Sequence, residues 1–333
     1  MTAERKRDHL KICLGEEVEV GSAGFESYFF VHNALPEINF EKIDTSVRFL
    51  GKKLQAPILI SSMTGGTKQA GLINHHLAQA AQKVGVAMAV GSQRVAIKNS
   101  RLISSFQVRD VAPDVLLFAN LGAVQLNYGF GIRECRQAVE MIEADGLILH
   151  LNPVQETIQP EGNTNFSGLL SKIEKITQSL EMPVIVKEVG AGISETVARK
   201  LFGAGVKIVD VAGWGGTNWA LIESLRGKDK EMGEAFANWG IPTSEAIKQC
   251  TQIKGLTVIG SGGIRNGIQM AKAFALGADL VGMALPLLKP ATQSAAAVKK
   301  KLQSLVFQLK TTMFCLGVKN IGELKKVELI VKI

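Results

Sequence analysis

The sequence predicts a (β/α)8 TIM barrel of the α/β class, and three observations predict it. Short β-branched runs alternate with helical patterns, the runs number eight, and glycine-rich turns close the last two. Alternation implies a parallel sheet, and eight units imply closure. A doubly wound open sheet, the main alternative, carries its phosphate loop after the first strand rather than the last.

The runs lie at 57–63, 86–90, 115–120, 146–151, 183–188, 207–212, 256–261 and 279–284. Helical patterns fall between them at 72–84, 132–144, 167–180, 194–202, 243–253 and 268–275, with a closing helix at 291–318. Ser194 and Thr243 stand at helix starts, and Gly85, Gly205 and Gly277 follow helix ends. One domain therefore accounts for residues 1–333: an N-terminal extension (1–56), the barrel (57–318) and a C-terminal tail (319–333). Residues 214–240 read as a long loop after the sixth strand, with Trp214, Trp219 and a charged patch at 226–231. Loops of that length are uncommon in compact domains and often serve as active-site lids.

Composition narrows the function classes. Of the 333 residues, 46 % are hydrophobic, and a mean hydropathy of +0.17 suits a sheet buried on both faces. No apolar stretch reaches membrane-spanning length, and the charged segment 1–9 has no apolar core behind it, so neither a membrane anchor nor a signal peptide is expected. Cys13, Cys135, Cys250 and Cys315 are scattered and form no Cys-x-x-Cys pair. That excludes a disulfide framework or zinc site and points to a reducing cytoplasm. The net charge of +8 raises a nucleic-acid partner, but no such motif accompanies it and aromatic residues are only 6 %. The lysines at 299–301 and 325–326 read as solvated helix faces. A polyanionic small substrate would still be attracted. Apolar exterior helices lead to the expectation of a homo-oligomer, a tetramer or octamer.

The glycine turns carry the strongest local signal. Gly260-Ser261-Gly262-Gly263-Ile264-Arg265 and Gly282-Met283-Ala284-Leu285 each end an apolar run on small residues. Such turns let backbone N–H groups approach a phosphate, and paired loops after the last two strands form the recurrent phosphate site of this barrel. One glycine turn alone would be an ordinary strand–helix connection.

In barrels the active site lies at the C-terminal strand ends. The first run ends in Ser62-Met63-Thr64-Gly65-Gly66, the second in Ser92-Gln93-Arg94, the third in Asn120, and the fourth in His150-Leu151-Asn152-Pro153-Val154-Gln155-Glu156. Lys187 ends the apolar run Val184-Ile185-Val186 and should emerge into the mouth. It reads either as a salt-bridge partner of Glu188 or another carboxylate, or as a fixed charge beside an electron-rich ring or oxyanion. Glu156 reads as a solvated loop carboxylate or as the protein's share of a magnesium site completed by substrate phosphate. His150 is equally readable as a core histidine or a substrate contact.

Together these motifs resemble type 2 isopentenyl diphosphate isomerase. The resemblance adds Arg5-Lys6-x-x-His9, Gly215-Gly216-Thr217 and Ala284-Leu285, covers essentially the whole chain, and is most specific in Gln93-Arg94 and Gln155-Glu156. It implies interconversion of isopentenyl and dimethylallyl diphosphate with reduced FMN, Mg²⁺, and NADPH as flavin reductant. By resemblance, FMN contacts fall on Ser62, Met63, Thr64, Ser92, Asn120, Lys187, Thr217, Gly262, Gly263, Ile264, Arg265, Ala284 and Leu285. Substrate contacts fall on Arg5, Lys6, His9, Ser92, Gln93, Arg94, His150, Asn152 and Gln155. Gln155 and Lys187 are the implied catalytic side chains, and Glu156 the metal ligand. One departure is Ala212-Gly213-Trp214, where many relatives carry a serine ahead of the glycine as a further FMN contact.

Three other readings are weighed against this one. A 2-hydroxy-acid oxidase shares the barrel and late phosphate loops but needs a histidine base near the later strands, and no histidine follows His150. A nucleotide dehydrogenase would need a cysteine in 213–240, which has none. A silent flavin-binding scaffold would have no use for Arg94, Gln155 and Glu156.

Overall fold

The structure, a computed structural model, describes residues 2–227 and 229–332. Met1, Lys228 and Ile333, which fall in the expected arm, loop and tail, lie outside the described residues.

The eight expected strands form a closed parallel barrel. The chain opens with helix α1 (Thr2–Gly15) and three short strands, β1 (Tyr28–Phe29), β2 (Val47–Phe49) and β3 (Lys52–Leu54). The barrel follows as β4 (Ile58–Ile60), β5 (Ala87–Ala89), β6 (Leu117–Gly122), β7 (Gly146–His150), β8 (Val184–Lys187), β9 (Ile208–Asp210), β10 (Thr257–Ser261) and β11 (Leu280–Met283). β11 pairs back onto β4 to close it. Between them run α2 (Lys68–Val84), α3 (Arg94–Lys98), α4 (Ile132–Glu140), α5 (Pro153–Ile158), α6 (Leu169–Ser179) and α7 (Glu195–Gly203). After β9 come α8 (Trp219–Gly227), α9 (Lys230–Ala235) and α10 (Thr243–Cys250), then α11 (Gly267–Ala275), α12 (Leu285–Gln293), α13 (Ala295–Leu316) and α14 (Ile321–Leu324).

The pleat decides which residues reach the mouth. Leu59, Ala89, Phe118, Ile148, Ile185, Ile208, Ile259 and Leu280 form the inner core of the barrel. Their neighbours, such as Ile60, Leu117, Leu149, Val186, Val209 and Val281, pack outward against the helices. Because side chains alternate along a strand, the residue two positions after each inward one faces inward again, one layer nearer the top. That layer is Ser61, Gly91, Asn120, His150, Lys187, Asp210, Ser261 and Gly282. Hydrophobic burial thus sets the barrel register, and register lifts a polar ring to the mouth.

The helix boundaries carry three corrections. The expected long loop at 214–240 contains α8 and α9. The closing helix is two helices, α12 and α13, broken at Ser294, whose hydroxyl accepts from Ala297 N–H to start the second. Thr243 is the first residue of α10 rather than its cap, and its hydroxyl donates instead to the carbonyl oxygens of Ser261 and Gly262. Ser194 and Gly85 do cap as the sequence suggested. The expected tail supplies α14 and β12 (Ile330–Val331), which pairs antiparallel with β1, so the tail is joined to the N-terminal extension. No described helix is long and apolar enough to cross a membrane, and all four cysteines are free.

Candidate active site

On the side of the mouth formed by β9, β10 and β11 the wall is backbone. Gly262 and Gly263 have φ of +101° and +68°, and a Cβ on either would lie 2.2 Å from a carbonyl oxygen, of Gly213 and Gly215 respectively. Both the left-handed conformation and the loop-to-loop contact therefore demand glycine. α12 begins immediately after Ala284, so its N-terminal end opens beside these loops. Arg265 reaches the same cavity; its Nε donates to Glu19 at 3.2 Å, Nη2 also pairs with that carboxylate, and burial draws its pKa down to about 10. Thr217, Ala284 and Leu285 border the same space.

The polar ring crosses the cavity floor. Asn120 Nδ2 donates to Ser62 Oγ at 2.8 Å, and Asn120 Oδ1 lies 2.9 Å from His150 Nδ1. An amide oxygen only accepts, so Nδ1 carries the proton and Nε2 is left as an acceptor. Burial, reinforced by the charges of Lys187, Lys6 and Arg5, pushes the His150 pKa down to about 3, so the ring is neutral. Lys187 is 7 % exposed; its Nζ donates to the Glu188 carbonyl at 2.6 Å and lies 3.8 Å from Asp210 Oδ2. Glu188 faces away and accepts from the N–H groups of Val189, Gly190, Ala191 and Gly192, which makes its carboxylate a loop staple.

The opposite side is made of side chains. α1 lies over the mouth of its own barrel: Lys6 Nζ donates to the Ser92 carbonyl at 2.8 Å, Arg5 Nη1 to Gln159 Oε1 at 3.3 Å, and His9 Nε2 is 2.9 Å from Glu223 Oε1. Lys6, Arg5 and Arg94 all line the cavity. Burial and the adjacent Arg5 pull the Lys6 pKa down to about 7, and the same two causes lower that of Arg94. Among the nearby acids, Glu156 and Glu161 act on Arg94 in the opposite sense.

A carboxylate network supports them from below. Glu156, 6 % exposed, accepts from Asn152 Nδ2 at 3.1 Å, Gln159 Nε2 at 2.6 Å and the Asn163 N–H at 2.5 Å. Gln155 Nε2 donates to Glu223 Oε1 at 2.8 Å, and Arg226 Nε donates to Glu223 Oε2 at 2.8 Å. Burial raises the Glu223 pKa, but the hydrogen bond and charge of His9, with bonds from Gln155 and Arg226, outweigh it and hold it down at about 2. Trp219, on α8, meets the His9 ring edge-on at 5.1 Å between centroids.

Of the site residues expected from sequence, two side chains are not at the cavity. Gln93 is fully buried, donating to the Ala138 carbonyl of α4 at 2.7 Å and accepting from the Asn120 N–H of β6 at 2.8 Å, so its amide is consumed in tying the turn after β5 to β6 and α4. Ile264 turns into the core, 1 % exposed, between Gly263 and Arg265. Ser62, Met63, Thr64, Ser92 and Asn152 line the cavity with the others. Ala212, the departure from the family pattern, also lines it and takes a left-handed φ of +35°.

Comparison with known proteins settles the family. Residues 14–99 and 145–331 match the model of the FMN-dependent dehydrogenase family. The isopentenyl-diphosphate delta-isomerase of Nostoc sp. is 51 % identical over 97 % of this chain and 94 % of its own length. That of Rickettsia felis is 50 % identical over 98 % and 96 %. The chain belongs to the FMN-dependent isopentenyl-diphosphate delta-isomerase family. It is thus an isomerase by family and not an oxidase, although its barrel superposes on oxidases. A Pediococcus acidilactici lactate oxidase aligns with a TM-score of 0.69 over all of this chain and 93 % of that one, at 18 % identity, which speaks for the fold alone.

Two acids that hold cavity-lining side chains escaped the sequence reading: Glu223, bonded to Gln155 and beside His9, and Asp210, beside Lys187. Each left a signal. Glu223 is a lone acid one helical turn after Trp219 in the apolar stretch Trp219-Ala220-Leu221-Ile222, and Asp210 interrupts the run Ile208-Val209-Asp210-Val211 at an inward position.

Proposed function

We propose that the protein interconverts isopentenyl and dimethylallyl diphosphate, with reduced FMN on the glycine loops, Mg²⁺ at Glu156, and NADPH as the source of the flavin's electrons. The observation that carries the substrate side is that Arg5, Lys6 and Arg94 line one side of the cavity together, three cations to which a diphosphate can make charge-assisted hydrogen bonds. The glycine loops fit the flavin: they admit no Cβ, and the buried Ser61 Oγ has no hydrogen-bond partner among the described residues. The donor set also fits magnesium. Glu156 and the unpartnered, buried Asn152 Oδ1 are hard oxygen ligands. Among the described residues no three His, Cys, Asp or Glu side chains stand together, which suits a metal completed by phosphate oxygens.

When bound, reduced FMN would supply an electron-rich ring able to give and take a proton beside a cation-like alkene. The chain's own residues do the rest. Arg5, Lys6 and Arg94 fix the diphosphate and so orient the hydrocarbon end toward the floor. α1 and α8 close over it, with Trp219 and His9 excluding water from the developing positive charge. His150 is neutral, so it adds no competing cation, and its Nε2 can accept a hydrogen bond. Glu223 fixes the Gln155 amide through Nε2 and leaves its oxygen, which already accepts from Asn152 at 3.0 Å, facing the cavity. Lys187 places its ammonium at the flavin's side of the floor.

The deciding experiment is to purify the protein, confirm its yellow colour, reduce it, and supply isopentenyl diphosphate with Mg²⁺. Dimethylallyl diphosphate should form without net flavin oxidation. A yellow, reduced protein that leaves the substrate unchanged would overturn the reading. A homo-oligomeric state and a cytoplasmic location belong to the same proposal, and the diphosphate substrates are its only expected partners.

A further inference from the structure

Asp210 is the acid of the inward ring, fully buried at the end of β9. Ser261 Oγ donates to its Oδ1 at 2.5 Å, while Oδ2 has no hydrogen-bond partner among the described residues and lies 3.8 Å from Lys187 Nζ. The register makes this contact obligatory: Lys187 on β8 is the direct partner of Asp210 on β9, and both face inward. Of the other charged or titratable groups around the pair, Glu188 also feels the Lys187 charge, but its carboxylate is held by four loop N–H groups. Arg265 is bound to Glu19, and His150, on the far side of Lys187, is neutral. A carboxylate left half-satisfied in a dry site is costly, so a structural role alone would favour an uncharged residue here.

We propose that Asp210 is a positioning residue for the flavin: it holds the Lys187 ammonium at the strand end and offsets part of its charge. The inference rests on the reading of FMN on the glycine loops. Lys187 without a counter-charge would drive the reduced ring wholly to its anion. Proton exchange works best when the exchanging group ionises near the working pH. Asp210, one strand behind the ammonium, raises the pH at which the reduced ring surrenders its proton to solvent. Lys187 thus attracts the ring, and Asp210 keeps that attraction from fixing its protonation state.

The test is an anaerobic pH titration of the photoreduced holoprotein, following the absorbance change between neutral and anionic reduced flavin, with no substrate present. Asp210→Asn keeps the shape and the Ser261 contact but removes the charge. Its ionisation should fall by about one pH unit, a tenfold change in the constant, relative to wild type. An Asp210→Asn titration that coincides with wild type, or moves upward, overturns the proposal. If Asp210→Asn does not fold, Asp210→Ser carries the same expected shift. Failure of both neutral variants to fold while Asp210→Glu folds would also overturn it, by making the charge structural. A wild type that retains no flavin would instead defeat the functional reading itself.

Discussion

On the glycine side of the mouth, where we propose the flavin, Gly213, Gly216, Gly262 and Gly263 press backbone against backbone, and no side chain could be added without collision. On the opposite side, where we propose the diphosphate, Arg5 and Lys6 come from α1, Arg94 from α3, Glu156 from α5 and Glu223 from α8. One wall is two short segments of neighbouring loops, and the other is assembled from helices more than two hundred residues apart in the chain. The first should be rigid and intolerant of any substitution. The second should depend on charge and hydrogen bonding, and should respond to pH.

The largest effect is expected where the side-chain wall is most buried. Glu223→Ala would leave His9, Arg226 and Gln155 facing a void, and losing one member of a buried ion pair costs about 3–5 kcal/mol. Chemical denaturation near neutral pH should register that loss. Because the folded pKa of Glu223 is depressed to about 2 from an unfolded value near ~4.3, its contribution is present above the unfolded pKa and lost as pH falls toward 2. The gap between wild type and Glu223→Gln should therefore be constant at neutral pH and shrink below about pH 4. A gap that widened in acid would refute the assignment.

Next comes the backbone wall. Gly262→Ala forces a Cβ to within 2.2 Å of the Gly213 carbonyl at a left-handed φ. The expected cost is about 3 kcal/mol, with flavin lost on purification. Normal flavin content and stability in this variant would show that the loops are not the tight pair described. Lys187→Ala should then cost ~2–3 kcal/mol of transition-state stabilisation, read from kcat/KM, with weaker FMN binding. Wild-type turnover at normal flavin content would remove Lys187 from the mechanism.

The smallest effect is the pH response of the cation cluster. With its pKa lowered to about 7, Lys6 is charged below pH 7 and loses its proton as pH rises through that value. The KM for the diphosphate should rise severalfold between pH 7 and 8.5, and binding at pH 8 should take up a proton. Lys6→Arg should flatten both; an unchanged profile in that variant would place the titration elsewhere.

The same contrast explains what the sequence made legible. The barrel was legible because burial on both faces writes eight predominantly apolar runs, and the glycine wall because its glycines are closely spaced in the sequence. Arg94, Gln155 and Glu156 were legible as cavity residues because they lie within a few residues of the ends of β5 and β7, on the short helices α3 and α5. Gln93 misled because its neighbour Arg94 faces the cavity, and a sequence cannot tell which of two adjacent polar residues turns inward. Glu223 was missed because 214–240 read as a loop, with its two helices of nine and six residues too short to give a clear period. Asp210 required the barrel register, since its meaning comes from lying beside Lys187.

The most direct test of the divided mouth is removal of residues 1–9, which takes Arg5, Lys6 and His9 from one wall and nothing from the other. Flavin binding, followed by fluorescence quenching, should match that of the full chain. The KM for isopentenyl diphosphate should rise and turnover fall, since both the cations and the cover of the site are lost. Loss of flavin on truncation, or unaltered kinetics with flavin retained, would contradict the account.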